Sequence, residues 1–183
     1  ITHGDYTLHS APARLRMLAE PPSMTDTMRE FLEPGQGLLE PELVDRGLAP
    51  DGRFALINVW RNIAHEPVAT DPMALCDAAT VRPEELVVFE IHYSDRIGEN
   101  YFAKHADEHR WYTYPGLTRN EALLIKQWDS RGALARSNGA TADEIDPDAP
   151  CTFSFHSAFE DPATAPDAPD RWSLEVRCAV LYD

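Results

Sequence analysis

The sequence predicts an all-β fold with helical trim, a barrel or double-sheet jelly roll. Strand-like runs recur along the chain, turn residues separate them, and helical stretches are few. Residues 54–63 (FALINVWRNI) and 86–93 are dominated by β-branched, aromatic and apolar side chains, the strand signature. Taken in order, residues 1–8 read as a short strand. Ser10-Ala11-Pro12 reads as an N-cap and first turn opening a helix over 13–19, which Pro21-Pro22 stops. A second helix over 25–32 precedes Pro34-Gly35-Gln36-Gly37, and 33–52 reads as a loop-rich insertion. After the strand at 54–63, Leu75-Cys76-Asp77 leads to a turn at Arg82-Pro83 and the strand at 86–93 follows. Residues 101–105 and 110–114 suggest a hairpin around Ala106-Asp107-Glu108. Residues 118–122 suggest a capped turn with Glu121 at its third position, and 123–128 fits helix or strand. The Gly, Ala, Asp and Pro content of 131–150 indicates an exposed loop. The last strands, 151–159 and 172–182, are joined by the Pro-rich stretch 161–169.

The 183 residues are enough for one domain, spanning 1–183, with a sizeable core. A net charge of −15, from 31 acidic and 16 basic residues, argues against nucleic acid or an anionic membrane as partner. No run of 18 apolar residues exists to span a membrane. Cys76, Cys151 and Cys178 are odd in number and widely spaced, which suits reduced thiols in a cytoplasmic protein. A homodimer is compatible with the sequence.

Three short motifs carry chemistry: His3-Gly4-Asp5, then His156, then Arg171-Trp172-Ser173. In a strand, residues i and i+2 point the same way, so His3 and Asp5 share a face. Two histidines and a carboxylate on one face, with open positions opposite, suit non-haem Fe(II) that activates O2. An Arg-x-Ser placed 15 residues after the second histidine is what 2-oxoglutarate oxygenases use to hold the cosubstrate's far carboxylate. Arg suits that task because its planar fork donates two charge-assisted hydrogen bonds, and the Ser hydroxyl adds a third. On the last strand Arg171, Ser173, Glu175 and Arg177 alternate with Trp172, Leu174, Val176 and Cys178. The polar set is expected to face a pocket and the apolar set to pack. Glu175 and Arg177 read as a cross-strand ion pair, with Arg177 a second candidate for an anionic group. Asn58, Trp60 and Arg61 end an apolar run where a pocket rim would lie. Arg61 is the candidate for the cosubstrate's C1 end or the substrate. Trp111 and Tyr112 are candidate pocket-lining residues, and Lys126 or Gln127 is expected to face the pocket. Two rivals remain: an iron oxygenase that takes its electrons from the substrate without 2-oxoglutarate, and a non-catalytic β-barrel that binds a small molecule.

The run Thr2-His3-Gly4-Asp5-Tyr6-Thr7, with Ser10-Ala11-Pro12 after it, resembles the metal-binding segment of one oxygenase family. The likeness continues through NVWRNI at 58–63, PMALCDA at 72–78, HRWY at 109–112 and EALLIK at 121–126. It then runs through Trp128-Asp129-Ser130, His156-Ser157-Ala158-Phe159 and RWSLEVR at 171–177. The family includes the cephamycin 7α-hydroxylase-related proteins, the fungal gibberellin desaturase-like proteins and the novofumigatonin endoperoxide synthase. The resemblance implies a double-stranded β-helix (a cupin-like jelly roll), Fe(II), 2-oxoglutarate and O2. It implies hydroxylation, desaturation or peroxide formation on small organic molecules of secondary metabolism. It also implies His3, Asp5 and His156 as iron ligands and Arg171 with Ser173 as the cosubstrate clamp. A ligand two residues from the first residue would need a supporting shell, so an N-terminal part of the native protein is expected to be missing from this stretch. No Gly-rich loop follows a strand to hold S-adenosylmethionine.

Overall fold

The computed structural model describes residues 1–140 and 148–183. Among the described residues, nine strands form two sheets. They are β1 (His3–Gly4), β2 (Phe54–Asn62), β3 (Met73–Cys76), β4 (Leu86–His92), β5 (Ile97–Ala103), β6 (Trp111–Thr113), β7 (Leu123–Asp129), β8 (His156–Ala158) and β9 (Ser173–Leu181). The larger sheet has six strands in the order β4-β5-β1-β8-β3-β6, and the smaller has three in the order β7-β2-β9. All pairings are antiparallel. Helices α1 (Ser10–Met17), α2 (Pro41–Leu48) and α3 (Ala133–Arg136) trim the sheets. Two stacked sheets with such trim make the expected jelly roll.

Two apolar clusters hold the layers together. One contains Leu15, Leu18, Val44, Phe54, Leu56, Tyr101, Trp128, Phe153 and Phe155, joining α1, α2 and both sheets. The other packs Trp60, Val68, Met73, Leu117, Leu123 and Ile125. Along β2 the inward residues Asn58, Trp60 and Asn62 are buried, while Ile57 and Val59 are only half-buried and Arg61 is exposed. Period-2 alternation therefore orients the whole smaller sheet.

Several local expectations give way. The segment 33–52 contains α2: Pro41 sits in its first turn, where a missing N–H costs nothing, and Val44 is buried against the core. Residues 1–8 contribute only a two-residue strand, and 25–32 only a 3₁₀ turn, Thr27–Glu30. No hairpin joins 101–105 to 110–114, because β5 pairs with β4 and β1 while β6 pairs with β3. The connecting Ala106-Asp107-Glu108 lacks the Asn-Gly chemistry of a tight hairpin. Residues 118–122 are a turn, with the Glu121 carboxylate accepting from the Thr118 N–H and hydroxyl. The apolar face of β9 does not pack: Trp172, Leu174 and Val176 are exposed on the outer side of the three-stranded sheet. Of the expected loop 131–150, residues 141–147 lie outside the described residues.

Candidate metal centre

The site begins with strand register. β1 lies between β5 and β8, and His3 stands directly opposite Phe102 on one side and His156 on the other. His156 in turn faces Leu75, and Leu75 faces Tyr112. Residues opposed across antiparallel strands share a face. Phe102, His3, His156, Leu75 and Tyr112 thus form one row across five strands, and Asp5, two residues after His3, turns to the same side. Although β1 is very short, it is held on both edges, which places His3 beside a residue 153 positions away in the chain.

His3, Asp5 and His156 offer ligand atoms that all lie within 4.8 Å of one another. Asp5 Oδ1 is 3.5 Å from His3 Nε2 and 3.9 Å from His156 Nε2. Ligand bonds of about 2 Å to one ion require only a small contraction of this triangle. The donor set also fits chemically. The Nδ1 of His3 lies 3.1 Å from the Ile1 carbonyl, which turns Nε2 toward Asp5, and that carboxylate pushes the His3 pKa up. Burial pushes His156 down to about 4, outweighing the pull of Asp5, so its ring is neutral and able to ligate. Burial opposes ionisation of Asp5, but the bond to His3 and the charge of Arg177 outweigh it and hold the carboxyl at about 2. Two imidazoles and a carboxylate clustered in this way match the donor set of a facial-triad iron centre.

The smaller sheet supplies the surroundings. Asn58 Nδ2 donates to Asp5 Oδ2 at 2.9 Å and to Glu175 Oε1 at 2.9 Å. Arg177 Nη2 lies 3.3 Å from Asp5 Oδ2, and its Nε lies 3.8 Å from Glu175 Oε1, the ion pair that sequence alternation anticipates. Gln127 Oε1 accepts from the Asp5 backbone N–H at 3.1 Å. Burial and the nearby Asp5 push the Glu175 carboxyl up.

The other expected site residues are distributed differently. Ser173 opens β9 opposite Asn62, and Arg171 lies two residues before the strand. The Arg171 guanidinium donates to the Asp71 carbonyl and lies 5.6 Å from the Trp60 ring centroid. Trp60 is buried in the second apolar cluster. Trp111 and Tyr112 are exposed on β6, an edge of the larger sheet. Arg61 differs from its expectation. It follows Trp60 and therefore points to the opposite, outer face of β2, where it donates to the Arg119 carbonyl. Phe89 and Phe102, absent from the motif reading, stack at 4.5 Å beside the ligands, with Phe102 edge-on to His3 at 6.5 Å. Only the pairing register, which the sequence does not display, reveals them.

A domain family described as "Oxidoreductase/YMDC permease-like domain" matches residues 37–181. Among the described residues no helix is long and apolar enough to cross a membrane. The hydroxylase/desaturase poxK of Penicillium oxalicum is 32% identical over 152 residues, covering 72% of this chain and 43% of poxK. Aspirochlorine biosynthesis protein N of Aspergillus oryzae is 34% identical over 146 residues, covering 78% of this chain and 53% of that protein. The Fe(II)/2-oxoglutarate-dependent dioxygenase nvfI of Aspergillus novofumigatus is 30% identical over 131 residues, covering 70% of this chain and 41% of nvfI. The solved structure of the iron and alpha-ketoglutarate-dependent endoperoxidase NvfI superimposes with a TM-score of 0.66 at 22% identity. That superposition covers 98% of this chain and 53% of NvfI and shows a shared fold. The chain spans about half the length of the curated relatives it matches. The chain belongs to the Fe(II)/2-oxoglutarate-dependent oxygenase family that contains these fungal hydroxylase/desaturases.

Proposed function

We propose that this chain is the catalytic part of an oxygenase that uses Fe(II), 2-oxoglutarate and O2 to hydroxylate or desaturate a small, largely apolar metabolite of secondary metabolism. The observation that carries this reading is the convergence of His3, Asp5 and His156 on one point at the mutual face of two sheets. Bound iron with its cosubstrate would supply the oxidising power for C–H cleavage. The chain's own part is ligation, orientation and exclusion of water.

Three side chains would hold the ion: His3 and His156 as neutral imidazoles through Nε2, and Asp5 through Oδ1. Arg171 would hold the far carboxylate of 2-oxoglutarate with the Ser173 hydroxyl. One of its N–H groups is committed to the Asp71 carbonyl, which orients the guanidinium and leaves other donors for a bidentate carboxylate. The stacked Phe89 and Phe102, with Tyr112 at the far end of the same row, provide an apolar floor beside the ligands. Rigid aromatic rings bury area at little conformational cost, which suits an apolar metabolite better than a nucleotide or polysaccharide. The buried free thiol of Cys76 supports a reducing, cytoplasmic setting.

The test is succinate formation on adding Fe(II) and 2-oxoglutarate in air. Iron-dependent succinate supports the proposal, and none with iron bound overturns it in favour of an oxygenase without the oxo acid. Arg171→Ala is expected to raise the 2-oxoglutarate requirement by roughly 10–100-fold, the equivalent of about 1.5–3 kcal/mol for a charge-assisted bond. Unchanged dependence would transfer the clamp to Arg177.

A further inference from the structure

We infer that Asn58, aided by Arg177, splits the Asp5 carboxylate into a metal-facing Oδ1 and a tethered Oδ2, making Asp5 a one-oxygen ligand. This rests on the metal-centre reading above and adds a positioning role for a residue outside the ligand set. The two oxygens have different company. Oδ1 is the atom near both histidines, at 3.5 and 3.9 Å. Oδ2 receives the Asn58 amide at 2.9 Å and lies 3.3 Å from the Arg177 guanidinium.

Asn58 is suited to this in a way few residues are. Its side-chain nitrogen lies 2.9 Å from Asp5 Oδ2 and 2.9 Å from Glu175 Oε1, so each carboxylate takes one of the two amide hydrogens. Two acceptors on that atom fix the amide orientation, because the carbonyl end would face two carboxylates. The residue is 1% exposed, so no water can take its place without rearrangement. It sits within β2, a nine-residue strand paired along both edges. Gln127, from β7, holds the Asp5 backbone N–H from the same sheet. A carboxylate free to rotate can chelate with both oxygens and occupy an extra coordination position. Tethering Oδ2 keeps that position available, so three protein ligands leave three sites on a six-coordinate ion.

Mn(II) is the probe, with its affinity read by EPR of free ion and its bound waters counted by water-proton relaxation. The wild-type chain is expected to bind Mn(II) with three exchangeable waters. Asn58→Leu is expected to weaken binding about 10–100-fold, the usual effect of removing a partner behind a ligand, and to lower the count to two. Asn58→Ser retains a donor and is expected to restore three. Arg177→Met, at a largely exposed side chain, is expected to weaken binding several-fold. A count of three in Asn58→Leu overturns the positioning role whatever the affinity. If that variant does not fold, Asn58→Ala decides by the same count. A wild-type chain that binds no Mn(II) overturns the metal-centre reading instead.

Discussion

The two sheets divide the work unequally. The larger one carries the candidate ligands on or beside short strands, two residues in β1 and three in β8. The smaller one contributes none of those three residues, yet its β2 and β9 are nine residues each and pair in unbroken register from Phe54 opposite Leu181 to Asn62 opposite Ser173. Short strands contribute few ladder bonds of their own. Long ones form a stiff platform. Asn58, Gln127 and Arg177 all reach from that platform to Asp5. The candidate ligands belong with one sheet, and the side-chain contacts that hold Asp5 come from the other.

The largest effect expected from this comparison is at the ligand itself. Asp5→Ala should abolish Mn(II) or Co(II) retention through gel filtration, a loss exceeding the roughly 10–100-fold caused by removing a supporting partner. Retained stoichiometric metal would mean that the ligand sheet is not the metal site. Next comes the platform's core. Trp60→Ala should cost about 3–5 kcal/mol in urea unfolding, because it empties a cluster of six buried side chains. A loss below about 1 kcal/mol would show that the smaller sheet does not hold the fold together.

A more modest effect tests the end of the platform. Asp129, on β7, takes two bonds from Arg53, at 3.1 and 2.7 Å. Burial works against its ionisation, but Arg53, the Arg131 N–H and Lys126 outweigh it and lower the carboxyl below its ordinary value. A depressed folded-state value means stability is present above the ordinary carboxylate range and is lost as pH falls through the folded value. Arg53→Met should therefore lower stability by about 1–3 kcal/mol near neutral pH, and the gap to wild type should close in strong acid. A gap that stays constant down to pH 2 would assign the loss to stacking of the Arg53 guanidinium over the Tyr182 ring. The smallest effect is on the outer face. Leu124 is 69% exposed, so Leu124→Gln should change stability by no more than about 0.5 kcal/mol. A larger loss in thermal unfolding would show that this face is covered in solution.

Much of this was legible without coordinates. The strands at 54–62, 86–92 and 173–181 follow from dense β-branched and apolar runs, whose pattern survives in any tertiary setting. Two members of the candidate trio share a face by sequence alone, because H-x-D at strand spacing carries its own geometry, whereas His156 joins them by register. Helix α2 was not: its apolar positions are few, and it forms because Val44 and Gly47 dock onto the core, with Gly47 lying against the Leu181 methyl. Arg61 was misplaced because a strand's inward face cannot be chosen from alternation alone.

The sequence by itself determined the local chemistry of this protein: strand periodicity, the motif order, an acidic surface and the residue types able to bind iron. Tertiary structure decided which of those residues meet. His156 stands beside His3 only through the β1–β8 register, and Asn58 reaches Asp5 only because the two sheets stack face to face. Periodicity is a property of neighbours along the chain, whereas register and sheet stacking depend on how distant segments bury their apolar faces together. Which oxygen of Asp5 lies toward the histidines, and which accepts from Asn58, belongs entirely to that second kind of information.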